Sequence, residues 1–312
     1  MPFSWPTLAQ AIYRISRLRR LIVAAIVMSG LLLTVISVID PAILPPMQAL
    51  RILAIVGFVA TTHVVLFPNV PVETLSLAVS TTCFVVVLPL LEVLSDIAPI
   101  PYRGAALVLL IFLAVLLIVV LTLITHFLIE TLVYVGPSVH MRLTTDIHVP
   151  FAPSVASRQF GLRPDTRRGR VMAGPVDDKG FFDVAVVSQH EADPDDPTRP
   201  MVVKIDAKVL QSDPENHEVM LVLAGGDVTV TSYKYIPEGD GCRVEITEMP
   251  GDFTLGMHAM FWLMDQQTDN LVEVAELMQS TPSCANGLAH AVSLLSLAGI
   301  ILHPRQPALD KF

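Results

Sequence analysis

The 312-residue sequence predicts two folds in one chain: a membrane α-helical bundle of four spans, then an α+β domain whose seven-stranded antiparallel sheet wraps a long C-terminal helix. Three observations predict this. Four long apolar runs fill residues 21–130. From residue 142 apolar and polar residues alternate, the period-2 signature of strands with one buried face. After residue 253 the period becomes 3.6, as in an amphipathic helix.

Charge separates the same two parts. Hydrophobic residues make up 53% of the chain and charged ones 16%, against ~25% in soluble domains. Residues 1–135 carry six basic and five acidic residues, a net +1, whereas 136–312 carry 14 basic and 24 acidic, a net −10. So apolar a chain is not disordered, and its acidic balance argues against nucleic acid as a partner. Cys83, Cys242 and Cys284 form neither a CxxC metal pair nor a disulfide framework.

The apolar runs are 21–39, 52–67, 74–94 and 104–129. A span needs ~20 apolar residues; the second run is short but extends through Ala49, Leu50 and Pro68. Buried helices of a soluble protein would need a polar stripe, which these lack. The first run is too long for a signal peptide, and no A-x-A pattern follows before Asp40-Pro41, so it reads as an uncleaved anchor. Arg14, Arg17, Arg19 and Arg20 precede it, and Arg142 follows the last run. The basic bias places both termini in the cytoplasm of a multi-pass protein of the cell (inner) membrane. The intervening outer loops are short and proline-rich.

Ionisable residues inside spans are functional candidates. Here they are His63, Glu92, His126 and Glu130. Two histidines facing each other would suit an axial haem pair or a metal. No further ligand lies at metal spacing, so hydrogen bonds to headgroups or helix partners are the reading retained, with no metal or cofactor assigned. The polar, broken helices that mark a transport path are missing.

In the second part, 140–280, strands are expected at 142–149, 171–176, 181–188, 201–209, 218–224, 228–236 and 242–249. Pro150 and Pro153 end the first and open a short helix at 153–160. The turn Asp177-Asp178-Lys179-Gly180 makes a hairpin. The acidic, proline-rich segment 191–200 lacks EF-hand spacing and reads as a solvated loop. The long helix spans 253–279, with Met257, Met260, Phe261, Met264, Leu271, Val272, Ala275 and Met278 on one stripe.

This order resembles the helix-grip fold of the START-like (SRPBCC, polyketide-cyclase-like) superfamily over residues 140–280. The opening Pro150-Phe151-Ala152-Pro153-Ser154-Val155 is similar to that family's entry into its first helix. Val228–Glu248, with Tyr233, Tyr235 and the turn Glu238-Gly239-Asp240-Gly241, looks like its last hairpin. The segment 150–169 is short for the family, and four spans are unusual in it. The resemblance implies an apolar cavity between sheet and long helix, for a membrane lipid or another hydrophobic small molecule. The inward alternation and helix stripe then nominate Phe182, Val184, Val203, Ile205, Leu221, Tyr233, Val244, Met257, Phe261 and Met264 as its lining.

Arg158, Arg163, Arg167, Arg168 and Arg170 cluster in an otherwise acidic domain. They suit anionic headgroups, each adding ~1 kcal/mol near a membrane surface, or the domain's own carboxylates. In the tail 281–312, residues 287–302 are apolar but short for a span, and suit an interfacial helix. No nucleophile elbow, P-loop, zincin or dinucleotide motif is present, so no catalytic residue is nominated; His258, Asp206 and Tyr233 are lone titratable groups. Three functions are compatible: binding or sensing a hydrophobic ligand, probed first as lipid; cyclase/aromatase chemistry on a membrane-borne substrate; or service as an accessory or assembly subunit for a membrane protein partner.

Overall fold

The structure is a computed structural model that describes residues 5–39, 44–97, 103–168, 171–192, 200–223 and 225–279. The tail 281–312, with Cys284, most of the acidic segment 191–200 and Arg170 lie outside the described residues. The chain divides into two compact units, one of Arg14–Val133 and one of Met1–Tyr13 with Tyr134–Phe312.

The apolar runs form α2 (Arg19–Ile39), α3 (Pro46–Leu66), α4 (Pro71–Ile97) and α5 (Arg103–Tyr134), preceded by the short α1 (Leu8–Arg17). Prolines open α3 and α4, where a missing N–H costs nothing and the fixed φ suits the first turn. Among the described residues, three helices are long and apolar enough to cross a membrane: Arg19–Ile39, Met47–Leu66 and Val108–Tyr134. α4 is apolar over Pro71–Val86, the part whose side chains are described, so three of the four expected spans meet the criterion.

α2, α3 and α4 pack pairwise on one another. Their contacts use one stripe each, Leu21, Ala25, Ser29 and Leu33 on α2 and Ile52, Val56, Ala60 and Val64 on α3, at the spacing of four that brings one helix face together. Several polar groups in this seam are small hydroxyls bonded back to their own helix. Ser76, Ser80 and Thr82 donate to carbonyls four residues earlier at 2.7, 2.7 and 2.9 Å. That satisfies a hydroxyl where no water is at hand. α5 exposes large apolar side chains over most of its circumference, among them Phe112 and Phe127, and keeps one stripe with the buried Thr122 and Val133 turned inward, where Thr125 donates to Ser76 O.

The other unit runs β1 (Leu143–Val149), α6 (Pro153–Phe160), β2 (Arg167–Arg168), β3 (Val171–Val176), β4 (Phe182–Ala192), β5 (Pro200–Ser212), β6 (Asn216–Val222), β7 (Val228–Glu238), β8 (Gly241–Met249), α7 (Leu255–Met264) and α8 (Gln266–Gln279). The seven expected strands are present and antiparallel, and the two-residue β2 extends the sheet at one edge, giving the order β1-β8-β7-β6-β5-β4-β3-β2. α8 packs on β1, and α6 on β7, β8 and α8. A sheet laid against a C-terminal helix is the helix-grip layout.

The long C-terminal helix is two helices. Asp265 adopts the left-handed conformation, φ 49° and ψ 45°, and its N–H closes α7 on the carbonyls of Phe261 and Trp262. Asp265 Oδ1 then accepts from Thr268 Oγ1 at 2.8 Å, and its carbonyl accepts from Asp269 N, which starts α8. Aspartate tolerates this backbone region better than most residues. α7 is fastened to the chain ahead of β1: Val139 N donates to Phe253 O at 2.8 Å, and the buried His258 donates through Nε2 to Val139 O at 2.6 Å.

The sheet depends on the β1–β8 ladder, which pairs Leu143 with Glu248 through to Val149 with Cys242. At its end the backbones come so close that a Cβ on Gly241 would lie 2.1 Å from Val149 O. Gly241→Ala is therefore expected to push β1 off β8 and to cost about 1–3 kcal/mol or more, read as a lower urea midpoint of the full chain. An unchanged midpoint would show that this close approach is not required.

Candidate functional site

Between the concave face of the sheet and α8 lies a cavity of about 280 Å³, near the lower end for ligand pockets. Period-2 alternation supplies its sheet wall: Val184 and Val186 from β4, Ile205 from β5, Val219 and Leu221 from β6, Thr231 and Tyr233 from β7, Ile246 and Glu248 from β8. Val171 of β3 completes that wall, and Phe160 and Leu162 come from α6 and the loop after it. α8 closes the other side with Asn270, Leu271, Glu273, Val274 and Leu277, a helical face of spacing three and four.

Two contacts hold the wall in place. His217 is fully buried and donates through Nε2 to Leu162 O at 2.8 Å, which fixes the loop carrying Leu162. Gly161 is required beside it, because a Cβ there would meet the imidazole at 2.3 Å. Tyr233 stacks on Tyr235, ring centroids 6.4 Å apart and nearly parallel.

Glu248 is the unusual member of the lining. It stands in register with Thr231 on β7 and continues the inward phase of Cys242, Val244 and Ile246. Gln267 Nε2 donates to Glu248 Oε2 at 3.2 Å and to Leu143 O at 3.1 Å. Burial pushes the Glu248 carboxyl pKa above the usual carboxylate range; the Gln267 bond pulls it partly back, and the nearby Asp252 charge pushes it up again.

The structure separates the nominated lining residues. Val184, Ile205, Leu221 and Tyr233 line the cavity. Phe182 and Val244 are packed into the two core clusters on either side of it. Val203 sits on the same face, opposite Val186, outside the lining. Met257, Phe261 and Met264 belong to α7, which the break at Asp265 separates from the cavity helix; Phe261 packs edge-on against Phe253 at 5.5 Å. Of the lone titratable groups, His258 is committed to Val139 O, Asp206 is exposed on the outer face and Tyr233 lines the cavity. Among the arginines, Arg163 is committed within the domain, donating to Ser212 Oγ at 2.9 Å and Ser157 O at 3.1 Å. Arg158 and Arg167 are exposed, and Arg168 lies on β2.

Sequence reasoning missed Glu248, Asn270 and Glu273. The usable signal for Glu248 was its phase with Val244 and Ile246. It also missed a polar centre in the helical unit. His63, 4% exposed, bonds Glu73 Oε1 through Nε2 at 2.9 Å and Thr74 Oγ1 through Nδ1 at 3.0 Å. Both ring nitrogens are thus engaged, which corrects the picture of His63 facing His126; His126 instead lies 3.8 Å from Glu130 one turn along α5. Two buried arginines brace the neighbouring turn, Arg14 donating to Val65 O and Arg17 to Pro68 O at 3.3 Å.

No family model and no curated protein matches the chain. Solved structures do. The Mesorhizobium loti protein MLL2253 is 14% identical, covering 46% of this chain and 100% of its own, with a TM-score of 0.33. Ara h 8.0201 is 10% identical over 46% of this chain and 100% of its own, TM-score 0.35. The Chromobacterium violaceum protein CV1439 is 15% identical over 44% of this chain and 96% of its own, TM-score 0.32.

The raised Glu248 pKa has a signed consequence. Between the unfolded and folded pKa values the folded chain holds more protons, so stability is greatest below the ordinary carboxylate range. It falls as pH rises through the window to the raised value, and is flat above it. Glu248→Gln, which keeps an acceptor for Gln267, is expected to remove this slope and to exceed the wild type in stability above the window. Denaturation midpoints of both proteins across pH provide the check, and a variant weaker than wild type at neutral pH would contradict the assignment.

Proposed function

We propose that the chain is a multi-pass inner-membrane protein, both termini cytoplasmic, whose C-terminal unit binds or senses a hydrophobic small molecule, a membrane lipid foremost. One observation carries this: an apolar cavity lined by six strands, β3 to β8, and by α8, with polar groups at only a few wall positions. Such a composition favours a ligand with a large apolar body and a small polar end. Burying that body removes apolar surface from water at about 25 cal/mol per Å².

The spans support the membrane part. Three helices meet the length and hydropathy of a crossing, and α4, with 27 residues, is the proposed fourth. The exposed Arg158 suits anionic headgroups at the cytoplasmic surface.

Filling the cavity tests the ligand. Leu221→Trp places an indole where Leu221 now lines the wall. Native mass spectrometry of full-length protein in detergent is expected to show a hydrophobic adduct on the wild type that this variant loses. Equal adducts on both would assign them to the detergent-facing helices and reject the reading. Topology has its own test: a reporter active only outside the cytoplasm should be silent after residue 312 and active within 98–102. The reverse pattern would overturn the proposed orientation.

A further inference from the structure

The cavity has a charge bias that its apolar character conceals. Its described lining contains two carboxyl side chains, Glu248 and Glu273, and three neutral polar ones, Thr231, Tyr233 and Asn270. No lysine, arginine or histidine is among these residues. Arg163 of the arginine-rich segment is turned to Ser212 and Ser157. Glu248 projects from the sheet and Glu273 from α8, so the acidic groups come from both walls.

Glu248 also keeps one oxygen open to a donor in the cavity. Gln267 bonds Oε2, and no hydrogen bond is made by Oε1 among the described residues. A carboxyl in an apolar wall loses hydration that the protein only partly replaces. A donor entering the cavity would supply the missing bond, and a cationic donor would also supply the missing charge. A carboxylate or phosphate ligand would do the opposite, adding like charge in a poorly hydrated space.

We infer that the cavity selects a lipophilic amine, its ammonium group held at Glu248 with Glu273 on the facing helix, and rejects fatty acids and other anionic amphiphiles. This rests on the ligand-binding reading and narrows it to one class of headgroup. Neutral alcohols of the same chain length fall between the two, since they offer one donor and no charge.

Three probes separate the possibilities on the full-length protein in non-ionic detergent: decylamine, decanol and decanoate, each titrated singly at neutral pH. Binding is counted as the part absent from Leu221→Trp, which corrects for partition into micelles. The expected order is decylamine, then decanol, then decanoate, with amine and carboxylate differing by at least about tenfold, or ~1.4 kcal/mol. In Glu248→Gln the amine-to-decanol ratio is expected to fall to near one, and in Glu273→Gln to move in the same direction by less. Decanoate binding as tightly as decylamine, or an amine-to-decanol ratio that Glu248→Gln leaves unchanged, would overturn the headgroup inference and leave the hydrophobic site standing. Binding of none of the three above the Leu221→Trp background would remove the site itself.

Discussion

The C-terminal unit depends on one antiparallel ladder. Its first strand, Leu143–Val149, pairs residue for residue with its last, so the chain's entry and exit lie side by side. Everything functional follows from that register. It fixes which side chains of β8 turn inward, and therefore that Glu248 shares a wall with Ile246 while Glu245 does not. A slip of one residue would exchange the two faces of the strand. It would put Arg243 and Glu245 in the cavity and Val244 in solvent. The tight approach at Gly241 and the core side chains Val149, Cys242 and Val244 all oppose such a slip.

Against this rigid wall, α8 supplies the adaptable side. Its core face, Leu271 and Ala275, is anchored against α6 and the sheet, while Asn270, Glu273 and Leu277 border the cavity. The break at Asp265 makes that division possible. A continuous helix would tie the phase of the cavity face to that of α7, whose own partners are Phe253 and the Val139 carbonyl. Two helices meeting at one left-handed residue satisfy both sets of contacts.

Much of this was legible in the sequence, and the reasons are specific. The helix at 153–160 was marked by Pro150 and Pro153, and β3 at 171–176 by the alternation and the turn that follows it. Both signals are local. The left-handed Asp265 was not legible, because an apolar stripe records side-chain polarity and not backbone φ, and the stripe runs on through the break. Glu248 was hidden for a related reason. A charged residue near a strand end reads as solvent-facing, and its phase with Val244 and Ile246 becomes decisive only beside its cross-strand neighbour Thr231 and its bond to Gln267. Glu73 falls between the apolar runs 52–67 and 74–94, and its partner His63 lies across a helix turn that composition cannot fold. The two-residue β2 exists only through pairing with β3, a contact with no pattern of its own.

The buried arginines of α1 carry a consequence for how the protein is made. Arg14 and Arg17 are inward-turned, and each donates a hydrogen bond to a carbonyl, of Val65 and Pro68, at the turn between the second and third apolar helices. That turn is synthesised some fifty residues after them, the separation of each hydrogen-bonded pair being 51. While the first apolar helix leaves the ribosome, that turn does not yet exist, so both charges are necessarily still solvated. Later, when α3 and α4 arrive, the same two side chains become the clasp of a finished helical hairpin. One pair of residues is thus solvated first and buried later, and a substitution there acts on a nascent chain before it acts on a folded one.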